Sequence, residues 1–410
     1  MKVLLINNVF CSGSTGKIVN DINQVLKGQG IESVVCYGRG NSGLAGKAVY
    51  KFCTEMQANI HHASVKFLGQ LMYGGNKVST MRLIKLIQKE RPDVVHVHCI
   101  NDYCVNIYEL LRFLGEHHIK TLITNHSEFF FTGNCGYAID CNKWLNNPGC
   151  GNCINYKYTT GSLFRDNSRQ AWIRMRDAFA SFSTKDLIIS SVSPWTMSRS
   201  MQSPITRKFQ HVSIGNGVNT CIFHNKGNDN IIREKIGPEF KHIVFYSSAS
   251  FTVSTNSIKG GRFVVEMAKK MPEVLFVVAA INSKIPEGLP NNIFLWGKAS
   301  TQEELASLYS SADVTLLTSK RETFSMVTAE SLCCGTPVVG FLAGGPESIT
   351  IPEYSRFVEY GDCEALYQSI TNVISNKYNK EQISSIAIKK YSKETMTAEY
   401  IKIYDKLLKG

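Results

Sequence analysis

Two glutamates in the stretch ETFSMVTAESLCCGTPVVG, Glu322 and Glu330, are separated by seven residues. Between them Ser325 suits a helix N-cap, because its side-chain oxygen accepts from a free first-turn N–H. Gly335 and Pro337 suit the other end, since glycine takes a left-handed cap and proline blocks continuation. The predicted helix, 325–334, therefore opens close to Glu322 and carries Glu330 one to two turns deeper. Its N-terminus is an anion site, with unpaired N–H groups and the positive end of the helix dipole. Carboxylates near such a site make electrostatic sense as acceptors for hydroxyls at the two ends of one ligand with an anionic middle. A nucleoside diphosphate sugar has that form: sugar hydroxyls, diphosphate, ribose hydroxyls. The same spacing also fits two solvated surface acids.

Other groups capable of chemistry lie in the first half. The segment CSGSTGKIV fails as a phosphate-binding P-loop. Cys11 stands where the first glycine belongs, and Ile18 stands where the magnesium-binding hydroxyl belongs. What remains is a glycine-rich turn, 13–16, between a strand and a helix, with Ser14, Thr15 and Lys17 near its exit. His96 and His98 share one face at a strand end. Two histidines alone make a poor metal site, and they read as lining a ligand cleft. His126 ends the next strand. Cys135, Cys141, Cys150 and Cys153 follow the spacing C-x5-C-x8-C-x2-C. The close pair has zinc-knuckle spacing, and four thiolates would close a structural zinc site. Free thiols, or disulfides under oxidant, are the other readings of those residues. A site with four protein ligands leaves no position for catalysis. Tyr158, Arg165, Arg169, Trp172 and Arg176 fall on one face at helical spacing. That face suits anionic lipid, a diphosphate-linked lipid acceptor, or plain solvent.

These groups need a scaffold that brings distant segments together. Short β-branched runs recur at 3–7, 33–37, 93–97, 120–124 and 187–192, with amphipathic helices between them. The pattern restarts at 243–247, 274–279, 293–295, 314–317 and 338–341. Continuous apolar runs rather than alternation imply strands buried on both faces, and helical connections imply parallel sheets. The fold class is therefore α/β, with two doubly wound Rossmann-like domains and a ligand cleft at the carboxyl ends of their strands. The predicted boundaries are 1–208, with a Cys-rich insertion at 133–153, then 209–385. A C-terminal helix over 386–410 is expected to pack back on the first domain. Tyr400 and Tyr404 share one face of it.

A chain of 410 residues is long enough for two such domains. Its 43% hydrophobic and 19% charged residues exclude a disordered class. The net charge of +12 points to an anionic partner, which is a nucleic acid, an acidic membrane surface or a phosphorylated ligand. The start, MKVLLINN, reads as a buried strand rather than a secretory leader. The apolar run 274–281 is far short of the ~20 residues of a membrane span. With 13 cysteines and no leader, a reducing, cytoplasmic setting is expected.

The segments SKRETFSMVTAESLCCGTPVVGFLAGGPESI and NIFLWGKASTQEELASLYSSADVTLLTS resemble the signature of retaining GT-B-fold glycosyltransferases, the glycosyl transferases group 1 family of family 4 type. Glu322, Glu330, Gly335 to Val339, Gly344, Gly345 and Glu347 match it. The resemblance implies that Glu322 contacts the donor sugar near its reacting face and that Glu330 binds the nucleotide ribose. Backbone groups of Phe324, Ser325 and Met326 would hold the diphosphate, and Lys259 in SIKGGRF would neutralise it. Gly13, Ser14, Gly16 and Lys17 would face the donor phosphates, and His126 would be placed at the donor sugar. Two departures stand out. Ser254 to Ser257 replace an expected basic residue, and His126-Ser127 replaces His-Asp. FTGNCGYAIDCNKWLNNPGCGNC is similar to an insertion in bacterial exopolysaccharide, capsule and O-antigen glycosyltransferases.

The implied reaction moves a hexose from a nucleoside diphosphate sugar to a lipid-linked glycan, with retention and without a catalytic metal. Peripheral contact with an anionic membrane is expected, and no nucleic-acid partner. The alternatives are a nucleotide-sugar epimerase or phosphorylase of the same fold, a catalytically inactive sugar-nucleotide binder, and a zinc-containing nucleic-acid-binding protein.

Overall fold

The computed structural model describes residues 1–41, 48–227, 230–281 and 288–409. The chain divides into two compact units, Met1–Gly215 with Met396–Gly410, and Asn216–Thr395. The first unit holds β1 (Lys2–Asn7), β2 (Glu32–Tyr37), β3 (Val49–Lys51), β4 (Val94–Val97), β5 (Thr121–Asn125), β6 (Leu187–Ser191) and β7 (Gln210–Ser213). They form one parallel sheet in the order β3-β2-β1-β4-β5-β6-β7. Ile6 pairs with Cys36 on one side and Val97 on the other. Strands β4, β5 and β6 are buried along their whole length. Their runs are therefore continuously apolar or small, because helices cover both faces. Strand order reverses between β1 and β4, the switch point at which ligands bind in open α/β sheets.

The second unit repeats the plan with β8 (His242–Ser250), β9 (Val274–Ile281), β10 (Ile293–Leu295), β11 (Val314–Leu317), β12 (Val338–Phe341) and β13 (Ser355–Val358). Its parallel order is β10-β9-β8-β11-β12-β13, with the reversal between β8 and β11. Two doubly wound parallel sheets are the architecture expected from the sequence. Strands β3, β7 and β13 lie outside the sequence expectation. They are short and partly exposed edge or near-edge strands, so they lack the continuous apolar run that marks a buried one.

Two expected boundaries change. Residues 13–16 are not a turn ahead of a helix but the first turn of the helix Gly13–Gly28, with Ser12 extended at its N-cap. The chain end is not one helix. Lys380–Tyr391 and Lys393–Lys409 are separated at Ser392, and the second runs from one unit into the other. Among the described residues no helix is long and apolar enough to cross a membrane.

Candidate active site

In the second unit, the chain leaves β11 at Leu317 and reaches Glu322 five residues later. Backbone bonds hold Glu322 in place. Its N–H donates to Ala343 O at 3.0 Å, and its carbonyl accepts from Gly345 N at 2.9 Å. The close approach needs glycine at 345, since a Cβ there would lie 2.4 Å from the Thr323 backbone. Glu347, a motif residue, spends both carboxylate oxygens on the N–H groups of Ala343 and Gly344. It caps the helix Gly345–Ile349 rather than holding a charge free for ligand.

Lys259 reaches Glu322 from the turn after β8. Its Nζ lies 2.5 Å from Glu322 Oε1. The Lys259 carbonyl accepts from Tyr246 OH at 3.0 Å and Thr318 Oγ1 at 2.8 Å. Gly260 follows at φ +66°, and a Cβ there would stand 2.2 Å from Thr318 O. Gly260 is thus a backbone requirement of packing the turn against the residue after β11. That packing places a cation and a carboxylate side by side at the switch point.

The helix Met326–Cys333 starts four residues beyond Glu322. Ser325 caps it, accepting from Thr328 N at 3.2 Å, but does so at φ +81°, where non-glycine residues are rare. The cap leaves other first-turn N–H groups without an intrahelical partner, as every helix start does. Phe324 is buried and Met326 is half-buried. Glu330 lies on the same helix, and Tyr309 OH donates to its Oε2 at 3.4 Å. Burial, then the Glu330 charge, hold Tyr309 well above the usual phenol range, so it remains a donor.

In the first unit, Gly16 is buried and Ser14 and Lys17 are exposed. A Cβ on Gly16 would lie 3.1 Å from Val9, so this glycine serves close approach of the helix to the loop after β1. His126 ends β5 and is nearly buried. Burial pushes its imidazole down to about 4. His96 and His98 are fully buried, not cleft-lining as the sequence suggested. His96 bonds Tyr404 OH and Thr124 Oγ1, each at 2.8 Å, and His98 Nδ1 lies 3.0 Å from His126 Nε2. Burial holds both rings well below the ordinary histidine range.

The Cys-rich insertion gathers the four thiols of the expected zinc site in one region. Cys135 feels the thiols of Cys150, Cys153 and Cys141, yet burial is the larger cause of its raised pKa. Among the described residues no three metal-ligating groups converge to hold an ion. Cys150 points to Thr132 O at 3.8 Å, and Cys153 contacts Thr159 Oγ1 at 3.6 Å. The insertion is held by aromatic packing instead. Trp172 is fully buried, its Nε1 donating to Trp144 O at 3.2 Å, and Gly149 lies over its ring at φ +87°. This corrects the expected basic face. Trp172 is core, Tyr158 belongs to the separate short helix Tyr156–Thr159, and Arg165 precedes the helix Ser168–Ala180.

The comparisons bear on both units. The family Glycosyl transferases group 1 matches residues 281–390, which include Glu322, Glu330 and Glu347. The family Glycosyltransferase Family 4 matches residues 16–176. The second unit thus carries a match to the group 1 glycosyltransferases and the first unit a match to Glycosyltransferase Family 4. A relative named for colanic acid biosynthesis, the glycosyl transferase WcaC of Escherichia coli (strain K12), is 24% identical over 165 residues. That match covers 37% of this chain and 39% of the relative, so the chain spans well under half of the length of that protein. Solved structures share the fold of this chain over nearly its whole length. A glycosyltransferase from Rickettsia africae ESF-5 aligns at TM-score 0.69 and 19% identity, covering 100% of this chain and 99% of that one. Sucrose-phosphate synthase from Thermosynechococcus elongatus aligns at 0.65 and 15%, with coverage of 100% and 99%. Anabaena Alr3699/HepE, solved with UDP and glucose, aligns at 0.62 and 14%, covering 99% of each chain.

The structure brings Lys259, Glu322 and the start of the Met326–Cys333 helix together, and it brings His126 to His98. Sequence reasoning missed Glu128. It is fully buried, paired with Arg199 at 2.9 Å, and accepts from Ala138 N at 2.8 Å. Arg199 lies over Trp144 and Trp195. The pair ties the insertion to its unit, and no spacing in the sequence signals it, because its members are 71 positions apart.

Proposed function

We propose that this chain transfers a hexose from a nucleoside diphosphate sugar to a hydroxyl of a lipid-linked glycan, with retention of anomeric configuration. The observation that carries the proposal is the Lys259–Glu322 pair at 2.5 Å, beside the capped start of the Met326–Cys333 helix. A carboxylate that accepts sugar hydroxyls and a cation that neutralises phosphate belong side by side wherever a sugar is joined to a diphosphate. Glu330, deeper on the helix, is assigned to the ribose hydroxyls, and Phe324, Ser325 and Met326 to diphosphate contacts. Gly13, Ser14 and Lys17 are assigned to the donor phosphates, with Gly16 permitting the approach. The fold shared with a protein solved with UDP and glucose supports this class of donor.

In the reaction, the bond from the anomeric carbon to the diphosphate breaks, and the bond to the acceptor oxygen forms on the same face. The acceptor proton passes to a leaving diphosphate oxygen. Lys259 and the helix N-terminus stabilise the charge that grows on that group. Two features support a membrane-borne acceptor. One is the net charge of +12. The other is the helix Glu55–Leu68, which exposes Met56, Ile60, Phe67 and Leu68 beside Lys66. The Cys-rich insertion is assigned to this acceptor unit as a structural element.

The test is a thermal shift with UDP, GDP, ADP and CMP sugars, because a ligand of the folded state alone raises Tm. A shift with one nucleotide, lost in Glu330→Ala, supports the reading. No shift with any of them, together with no transfer to lipid extracts, overturns it. The anomeric configuration of the product, read by NMR, decides retention.

A further inference from the structure

The buried histidines carry more than packing. His96 and His98 alternate on β4 and its extension, so their side chains share one face, and their rings lie 3.8 Å apart. His126 ends the neighbouring strand and stacks at 5.3 Å on His98. Tyr400 and Tyr404, one turn apart on the C-terminal helix, are fully buried against this row. Tyr404 OH and Thr124 Oγ1 occupy both nitrogens of His96. Hydroxyls can donate or accept, so they tolerate either tautomer of that ring.

The His98–His126 bond is different, because both partners are imidazoles. One proton lies between His98 Nδ1 and His126 Nε2, and the remaining nitrogen of His98, Nε2, is buried without a partner among the described residues. If His126 donated, His98 would carry its proton on Nε2, as an orphaned buried N–H. If His98 donates, its Nε2 is only an unused lone pair. Buried N–H donors are almost never left unpaired, whereas unused acceptor capacity is less costly. A doubly protonated ring is disfavoured by burial.

We infer that His98 is a positioning residue for His126: its Nδ1–H donates to His126 Nε2, which puts the His126 proton on Nδ1 and makes that ring a fixed, neutral hydrogen-bond donor. Tyr404, Tyr400 and His96 brace His98 from the other side, so the C-terminal helix takes part in fixing a residue more than 250 positions away. The inference rests on the proposed function for its consequence, which is that His126 acts at the donor sugar as a neutral ring and takes no proton as a base. Its geometry stands without that function.

The experiment uses the full chain labelled with 15N-histidine. Two-bond 1H–15N correlations read the tautomer of each ring, and assignment comes from the signals lost in His126→Gln. The expected result is a His126 ring protonated on Nδ1, unchanged from about pH 5 to about pH 8. In His98→Phe, which keeps a ring but no acceptor or donor, His126 is expected to lose that single tautomer. Protonation on Nε2, titration within this range, or an unchanged tautomer in His98→Phe would overturn the inference. Should His98→Phe fail to fold, the spectrum of the unsubstituted chain decides alone. No catalysis is needed for this readout, so a failed donor-binding test would not be mistaken for it.

Discussion

Lys259 and Glu322 are 63 positions apart and touch through a 2.5 Å ion pair. Glu322→Gln keeps shape and removes charge, and it is expected to lower kcat by a hundredfold or more, measured on the identified donor. Glu330→Ala is expected to weaken donor binding tenfold or more, about 1.4 kcal/mol, with a smaller change in kcat at saturation. Calorimetric titration of the nucleotide separates the two. The buried histidines contribute to acid stability. Burial holds their folded pKa values below the ordinary histidine value of about 6.5, that of His126 at about 4. The unfolded chain therefore binds more protons between these limits, and stability falls as pH drops from about 6.5 towards 4. For His126 the loss is on the order of 3 kcal/mol. Tm against pH is expected to flatten over that window in His126→Gln, and an unchanged slope would count against a buried neutral ring. At this scale Glu322 and Glu330 were legible, since both lie in one short window with a cap and a stop. The ion pair, the capping work of Glu347 and the Glu128–Arg199 contact were not, because each joins backbone segments that only folding brings together.

The helix Met326–Cys333 was read from its ends, and the structure agrees to within a residue at each. Its cap has a conformation no sequence pattern announces, because Ser325 sits at φ +81°. A side chain there is strained, while its Oγ is useful as a cap. Ser325→Gly should therefore cost less stability than Ser325→Ala, which loses the cap, about 1 kcal/mol, and keeps the strain. Urea denaturation of the two variants checks the order. Gly260→Ala should be worse than either, since its Cβ would stand 2.2 Å from Thr318 O, and it should also displace Lys259 and weaken donor binding. The segment 165–176 shows where periodicity misleads. Helical spacing grouped Trp172 with arginines, but the helix begins only at Ser168, and its apolar side carries Trp172 into the core.

The first unit is not one continuous stretch. It takes Met1–Gly215 and then Met396–Gly410 after the whole of the second unit. Without the tail, the partner of His96 Nδ1 is lost, at about 1–3 kcal/mol, and the apolar surface under Tyr400 and Tyr404 is exposed. A fragment 1–215 is expected to unfold at lower urea than the same fragment with 396–410 joined to it. Equal midpoints would show that the tail adds nothing to this unit. By itself the sequence determined two parallel α/β sheets, most of their buried strands and the glutamate helix. Those features rest on local periodicity, caps and helix stops, which short windows of residues encode. Only the tertiary structure decided that Trp172 is core, that Lys259 meets Glu322, and that the tail tyrosines brace the histidine row. Each of these depends on contacts between segments distant in the chain, whose closeness is set by sheet order and packing rather than by spacing.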